Sequence, residues 1–285
     1  MSAIKQDNKI LIVGLGMIGA SYAQKLHENG FYVGGISARE STVSKALESG
    51  IIDCGTTDVT KEFVSDFDIV VFALYPKLFI EWVRQYQHCF KAGALITDVT
   101  GVKGSVVYAI QQMLRSDVEF IAAHPMAGRE LSGIDNRCTK VFEGANYIVT
   151  PTKTNSQDAI DIACELGRIL GFGHISTLSP EDHDEMIAFL SQLTHCIAVA
   201  LMCCKDSTHL VDYTGDSFRD LTRIANINEN MWTELFMMNR NQLLRQMDLF
   251  QDEFARLKDA LAHGDEATMK EMMKTSTERR KYFNK

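Results

Sequence analysis

Apolar residues fall in short, nearly unbroken runs at 9–13, 31–36, 67–74, 95–98, 119–123, 146–150 and 172–177. Between them lie stretches at 20–28, 41–49, 76–88, 102–114 and 157–170 in which apolar positions recur every three or four residues. The first pattern predicts strands buried on both faces, the second helices with one apolar stripe. Their alternation predicts an α/β fold with a Rossmann-like, doubly wound parallel sheet. Local punctuation agrees. Asn29-Gly30 stops one helix, Ser41 is placed to cap the next, Gly50 to end it, and Pro76 opens another. After Ser179-Pro180 the strand pattern stops, and 181–204, 214–225, 230–261 and 266–282 all have helical periodicity. The long helices carry Met231, Phe236, Met237, Met238, Met247, Phe250 and Phe254. Such a stripe is expected to be core or subunit interface.

Composition narrows the classes. The chain has 285 residues, enough for one large or two ordinary domains. A formal charge of −8 argues against a general nucleic-acid surface. We expect no apolar run long enough to span a bilayer, and residues 1–9 are too polar for a signal peptide. A cytoplasmic protein, bound to neither membrane nor nucleic acid, is the expectation. The seven cysteines are scattered, with no Cys-x-x-Cys, so neither a zinc site nor a disulfide frame is suggested. Cys196, Cys203 and Cys204 are expected to serve packing in an apolar helix.

The first strand runs into Gly14-Leu15-Gly16-Met17-Ile18-Gly19 and then a helix. That context raises G-x-G-x-x-G from a weak match to a dinucleotide signature. Gly14 permits the tight turn, Gly16 lets the backbone approach a pyrophosphate, and Gly19 allows helix and strand to pack closely. Met17 and Ile18 open the helix whose N-terminus faces the phosphates. About 20 positions beyond the glycines, NAD binders place an acidic residue on the ribose. Here that place holds Ser37, with Arg39 and Ser41 close behind. A hydroxyl and a guanidinium suit a 2′-phosphate, so NADP is the expected cofactor. NAD is the second choice, with Glu40 then taking the ribose. The composition shift near Leu178 predicts a dinucleotide-binding domain at 1–177 and a helical substrate and dimerisation domain at 178–285.

The strand at 119–123 breaks into His124-Pro125-Met126-Ala127-Gly128-Arg129-Glu130. In open parallel sheets ligands sit beyond the carboxyl ends of strands. A histidine there, with an ordinary pKa near ~6.5, is suited to proton transfer.

Three more stretches stand with this loop: Thr97-Asp98-Val99-Thr100-Gly101-Val102-Lys103; His183-Asp184-Glu185-Met186-Ile187-Ala188, leading to Ser191-Gln192-Leu193-Thr194-His195; and Ser217-Phe218-Arg219-Asp220-Leu221-Thr222-Arg223-Ile224-Ala225, followed by Asn230-Met231-Trp232. With the glycine motif they resemble the prephenate/arogenate dehydrogenase family of tyrosine biosynthesis, in its short single-activity form. The resemblance runs from Ile10 to about Asn241. It implies hydride transfer from the ring carbon bearing the hydroxyl to a nicotinamide, with loss of carbon dioxide and aromatisation. It further implies that His124 takes the ring-hydroxyl proton, that His195 is the second active-site histidine, and that Arg223 binds a substrate carboxylate. Arg219 and Asp220 are expected to hold their helix by pairing, and His183 to be structural.

The chain departs from the family pattern at three places. Gly101 stands where a serine hydrogen-bonds the catalytic histidine and substrate, leaving Thr100 as the nearby candidate hydroxyl. Gln192 stands where a histidine is common and is a candidate for contact with substrate. Arg129 replaces a threonine and is a candidate partner for a substrate carboxylate or for Glu130; the first favours prephenate over arogenate. The readings left open are prephenate dehydrogenase, arogenate dehydrogenase, another two-domain Rossmann dehydrogenase, and an NADP-binding homologue with altered turnover. A homodimer is expected.

Overall fold

The computed structural model describes residues 4–128, 131–205 and 208–283. Elements follow in the order β1 (Lys9–Val13), α1 (Met17–Glu28), β2 (Tyr32–Ile36), α2 (Glu40–Glu48), β3 (Cys54–Thr56), α3 (Lys61–Val64), β4 (Ile69–Phe72), α4 (Pro76–Tyr86), β5 (Leu95–Asp98), α5 (Gly104–Met113) and β6 (Glu119–Phe120). The six strands form one parallel sheet in the order β3-β2-β1-β4-β5-β6. Neither β3 nor α3 was legible in the sequence pattern. Both are short, and β3 has no fully buried residue.

The apolar runs are continuous because both faces are covered. Along β1, Ile10 and Ile12 pack into the layer with α1, while Leu11 and Val13 pack into the layer with α4 and α5. The same alternation sends Ile69 and Val71 of β4 one way and Val70 and Phe72 the other. This is the period-2 geometry of a strand buried on both sides. Strand order reverses between β1 and β4, which opens the crevice where such sheets bind ligands.

The run expected as one strand at 119–123 is two. After β6, Ile121 N–H still donates to Ile96 of β5. The chain then becomes β7 (Ala122–Pro125), which leaves the parallel sheet. β5 ends at Asp98, and the Asp98 side chain takes the next donor, Ala123 N–H, at 3.1 Å. β7 pairs antiparallel with β8 (Asn146–Thr150). After α6 (Gln157–Leu170), β9 (His174–Thr177) joins β8 in parallel, completing a separate three-stranded sheet. His124 therefore lies inside a strand, opposite Ile148, rather than on a turn beyond one.

The described elements after Thr177 are helical. α7 (Pro180–Ile187) is capped by Ser179, which accepts from Asp182 N–H. It continues through one wider π-helical turn, Ala188–Leu193, into α8 (Thr194–Cys203). This rod of 24 residues has a mean hydropathy of 1.9 over its most apolar 18-residue stretch, long and apolar enough to cross a bilayer, contrary to expectation. Yet its His183, Asp184 and Gln192 are buried against other elements of the protein. α9 (Asp216–Thr222) follows and ends in a 3₁₀ turn, Arg223–Ala225.

The helix expected at 230–261 is broken into α10 (Glu229–Met238) and α11 (Arg240–Ala262). Asn239 at the break is buried, and its amide donates to Asp184 O at 2.8 Å and Gln192 Oε1 at 2.9 Å. Those tertiary bonds hold a backbone that local periodicity would have kept helical. α12 (Glu266–Arg280) packs back on α11. The expected capping by Ser41 is also corrected: α2 starts at Glu40 after Arg39, with no side-chain cap. Cys203 and Cys204 are exposed rather than packed, and all seven cysteines are free.

Candidate active site

The glycine turn has the geometry that a dinucleotide demands. Gly14 has φ +99°, and a Cβ there would fall 2.5 Å from Ala73 O. A Cβ on Gly19 would fall 1.9 Å from Gly14 O, so only glycine lets α1 sit this close to the turn. At Gly16 a Cβ would meet nothing within 4 Å, so the approach to this backbone is open. α1 begins at Met17 without a side-chain cap, which leaves the N–H groups of its first turn facing that space. Met17 is buried and Ile18 packs against the core. At the end of β2, Ser37 Oγ accepts from Arg39 N–H at 3.4 Å. Arg39 and Ser41 are exposed around the start of α2.

Beside this crevice, where β5 and β7 part, lies a dry charged network. The Lys103 ammonium is wholly buried and donates to Asp98 Oδ2 at 2.7 Å, Ala123 O at 2.6 Å and Thr100 Oγ1 at 3.2 Å. Its three donors are thus all matched, which a buried ammonium requires. Burial lowers its pKa, and the Asp98 carboxylate opposes that shift. Thr100 is turned into the same network, its hydroxyl bonded to Asp98 and to Val102 O. It is 3% exposed, so the candidate role of Thr100 as a substrate hydroxyl is corrected.

His124 sits against this network. Its Nδ1 is 2.9 Å from His183 Nε2, and His183 Nδ1 is 2.9 Å from Asp184 Oδ1. Asp184 also accepts from the N–H groups of Lys103 and Gly104, both at 2.8 Å, and so caps the start of α5. Burial pushes the His124 pKa well below the ordinary histidine value, and the neighbouring His183 and Lys103 add to the shift. Burial also lowers His183, against the pull of Asp184. Both imidazoles are therefore neutral near pH 7. The other ring nitrogen of His124, Nε2, faces Gly101: a Cβ on Gly101 would lie 3.8 Å from it and 3.7 Å from Leu235 Cδ2. The corner can hold an uncharged base whose Nε2 edge faces Gly101 and Leu235.

The helical half closes over this corner. Glu234 of α10 accepts from Lys77 N–H at the start of α4, at 2.8 Å. His195 stacks on Trp232 with ring centroids 3.7 Å apart, and its Nδ1 bonds Ser191 O at 2.8 Å. The N–H must be on Nδ1 to meet a carbonyl, so a neutral His195 keeps a lone pair on Nε2. The 3₁₀ turn carrying Arg223 packs on α8, the helix that begins one residue before His195, and Arg223 itself is exposed.

Gln192 is 1% exposed. It donates to Leu235 O at 3.2 Å and accepts from Asn239, tying the π turn to α10 and α11. That corrects its expected contact with substrate. Arg219 does pair, but with Asp216 at 2.7 Å and on the surface, not with Asp220. Arg129 lies outside the described residues.

The reading of His183 as merely structural overlooked its bond to His124. The one available signal was its neighbour Asp184, an acidic partner next to a histidine at the start of a helix. Trp232 was named only within a family stretch and Leu235 not at all, because an apolar side chain on a helix does not announce what it faces.

A glycine turn at the switch point, a partly exposed neutral histidine beside it and a helical second half define the class, a nicotinamide-nucleotide oxidoreductase. The sequence matches the family described as prephenate dehydrogenase, nucleotide-binding domain, over residues 22–171, and prephenate dehydrogenase, dimerization domain, over residues 179–275. The chain belongs to the prephenate dehydrogenase family. A prephenate dehydrogenase of Bacillus subtilis is 28% identical, the match covering 97% of this chain and 76% of that protein. The Aquifex aeolicus prephenate dehydrogenase, solved with hydroxyphenyl propionate and NAD+, is 29% identical with a TM-score of 0.88, covering 97% of this chain and 98% of that one. A Synechocystis arogenate dehydrogenase is 25% identical with a TM-score of 0.84, covering 97% of this chain and all of that one, 100%.

Proposed function

We propose that the chain carries out the NAD(P)-dependent oxidative decarboxylation of prephenate to 4-hydroxyphenylpyruvate, in tyrosine biosynthesis, as a cytoplasmic homodimer with NADP as the preferred cofactor. The observation that carries this reading is the neutral His124 at the mouth of the nucleotide crevice, its Nε2 edge facing Gly101. We divide the chain into a nucleotide-binding domain at 1–177 and a helical domain at 178–285.

The residues present fit a dinucleotide. The open approach at Gly16, the strained turn at Gly14 and the uncapped N-terminus of α1 make a pyrophosphate cradle. Ser37 and Arg39 offer a hydroxyl and a cation where a carboxylate would repel a 2′-phosphate, and this supports NADP over NAD. Bound here, the oxidised nicotinamide supplies a hydride acceptor.

His124 then acts as general base. Its Nε2 takes the proton of the ring hydroxyl as hydride departs from the same carbon, and a base already neutral at pH 7 needs no prior deprotonation. Arg223 binds a substrate carboxylate, and His195, held by Trp232 and Ser191, offers Nε2 to a polar group of the substrate. Arg129, five residues after His124 in the sequence, brings a positive charge that favours prephenate over the zwitterionic side chain of arogenate.

The test is a steady-state assay of purified protein with prephenate or arogenate, each with NADP+ or NAD+, followed by absorbance of the reduced cofactor. Turnover of prephenate with NADP+ is expected. Preference for arogenate, the substrate in the name of the Synechocystis relative, would overturn the substrate assignment; preference for NAD+ would overturn the roles of Ser37 and Arg39. Binding of NADP+ without turnover of either substrate would overturn the reaction itself.

A further inference from the structure

We infer that His183 and Asp184 are positioning residues that fix the tautomer of His124 and so select which of its two nitrogens acts as the base. The inference rests on the reading of His124 as the base, and its first test does not depend on turnover.

Donors and acceptors run in one chain from Asp184 through His183 to His124. Asp184 Oδ1 accepts from Lys103 N–H at 2.8 Å and lies 2.9 Å from His183 Nδ1. A carboxylate oxygen only accepts, so the His183 proton is on Nδ1. A neutral His183 then has a lone pair on Nε2, 2.9 Å from His124 Nδ1. That bond requires a proton on His124 Nδ1, which leaves the His124 lone pair on Nε2, the edge facing Gly101. The opposite tautomer of His124 would set two lone pairs against each other at 2.9 Å.

The relay matters more here than a single hydrogen bond would elsewhere. With Gly101 facing Nε2, that position carries no side-chain hydroxyl to orient the ring from that edge. Thr100 is already committed to Asp98 and Lys103. Orientation therefore comes from the other edge, through His183. Once His124 takes a proton, its Nδ1–H still donates to His183, and the Asp184 carboxylate behind lowers the cost of the new charge in a buried place. Asp184 is itself held, because both its oxygens accept from the first turn of α5. A Cβ on Gly104 would come within 3.1 Å of Oδ2, so the close seat depends on glycine. The relay joins α7 to the nucleotide-binding half, and the ring nitrogens are aligned only when those two parts are docked.

The test begins with the wild-type protein, labelled with ¹⁵N-histidine, at pH 7. The imidazole shifts of His124 are expected to report a protonated Nδ1 and an unprotonated Nε2; a protonated Nε2 overturns the proposal without any variant. In His183→Leu, which keeps apolar volume and removes both bonds, His124 is expected to populate the other tautomer. Its kcat for prephenate is expected to fall on the order of 10²-fold, with KM for prephenate changed by less than about threefold. His183→Gln can accept from His124 and donate to Asp184, and it is expected to keep the wild-type tautomer and at least about a tenth of wild-type kcat. A folded His183→Leu with unchanged tautomer, or a His183→Gln no better than His183→Leu, overturns the proposal. Should His183→Leu fail to fold, the tautomers of wild type and His183→Gln still decide it. If prephenate proves not to be a substrate, the shifts still read the relay.

Discussion

The two halves of the molecule bury their apolar residues to different degrees. In the nucleotide-binding half, β1, β4 and β5 are buried on both faces and aromatic residues interlock, with Phe72 in contact with Phe79, Trp82 and Phe90. In the helical half few large apolar residues are covered, while Phe254 is 60% and Leu261 67% exposed. The residues that are buried there include His183, Asp184, Gln192 and Asn239, all polar and all hydrogen-bonded. The first half is a finished core in a single chain. The second is seated on the first by polar bonds and leaves its apolar stripes for another surface, as the match to a dimerization domain implies.

The largest expected effect is in the finished core. Phe72→Ala should cost about 3–5 kcal/mol in chemical denaturation, at any protein concentration, because Phe72 is fully buried within the single chain. By contrast, Phe254→Asp should leave that core intact yet shift the protein to monomer in analytical ultracentrifugation. A wild type already monomeric at micromolar concentration would break the comparison.

Next is the polar seat. Asn239→Ala removes two buried donors and strands Gln192 Oε1, and should cost about 1–3 kcal/mol. Hydrogen exchange should then rise in α10 before it rises in β1. A uniform rise would mean that the two halves unfold as one.

Acid should act at the same seam. His124 and His183 both have pKa values lowered by burial. The unfolded chain therefore binds protons first, so stability is full above about pH 6.5 and declines as pH falls below it toward the lowered folded-state values. Urea titrations between about pH 7.5 and 5, on both sides of the ordinary histidine value of ~6.5, measure this, and His183→Gln should flatten the slope.

The smallest effect on stability is expected at Gly101→Ser. A Cβ there makes only ordinary contacts at 3.7–3.8 Å, so stability should stay within about 0.5 kcal/mol. Turnover should rise, by up to about tenfold, as a hydroxyl comes within reach of His124 Nε2. A fall in turnover at unchanged stability would mean that substrate comes against Gly101.

Much of the fold was legible because it is written in local patterns. Continuous apolar runs mark strands covered on both faces, and the spacing of Gly14, Gly16 and Gly19 reports backbone that admits no Cβ or needs none. His124 stood out as a candidate because an apolar run ends beside it in the sequence, although the structure places it within β7. What misled were positions where a distant partner outbid the local preference. Asn239 interrupts a helix because Asp184 and Gln192 claim its amide. Thr100 looked available to a substrate until Asp98 and Lys103 were seen to hold it.

The sequence by itself determined the element types, the glycine turn, the change from mixed to helical structure after Thr177 and the resemblance to a family, since each depends on residues close together in the chain. Only the tertiary structure decided that the strand bends at Ile121 into a second sheet, that Gln192 is a clamp, and that His183 stands behind His124, 59 positions away in sequence. Those facts depend on which donor meets which acceptor across elements, and a hydrogen bond is directional and short, so no pattern along one segment encodes it.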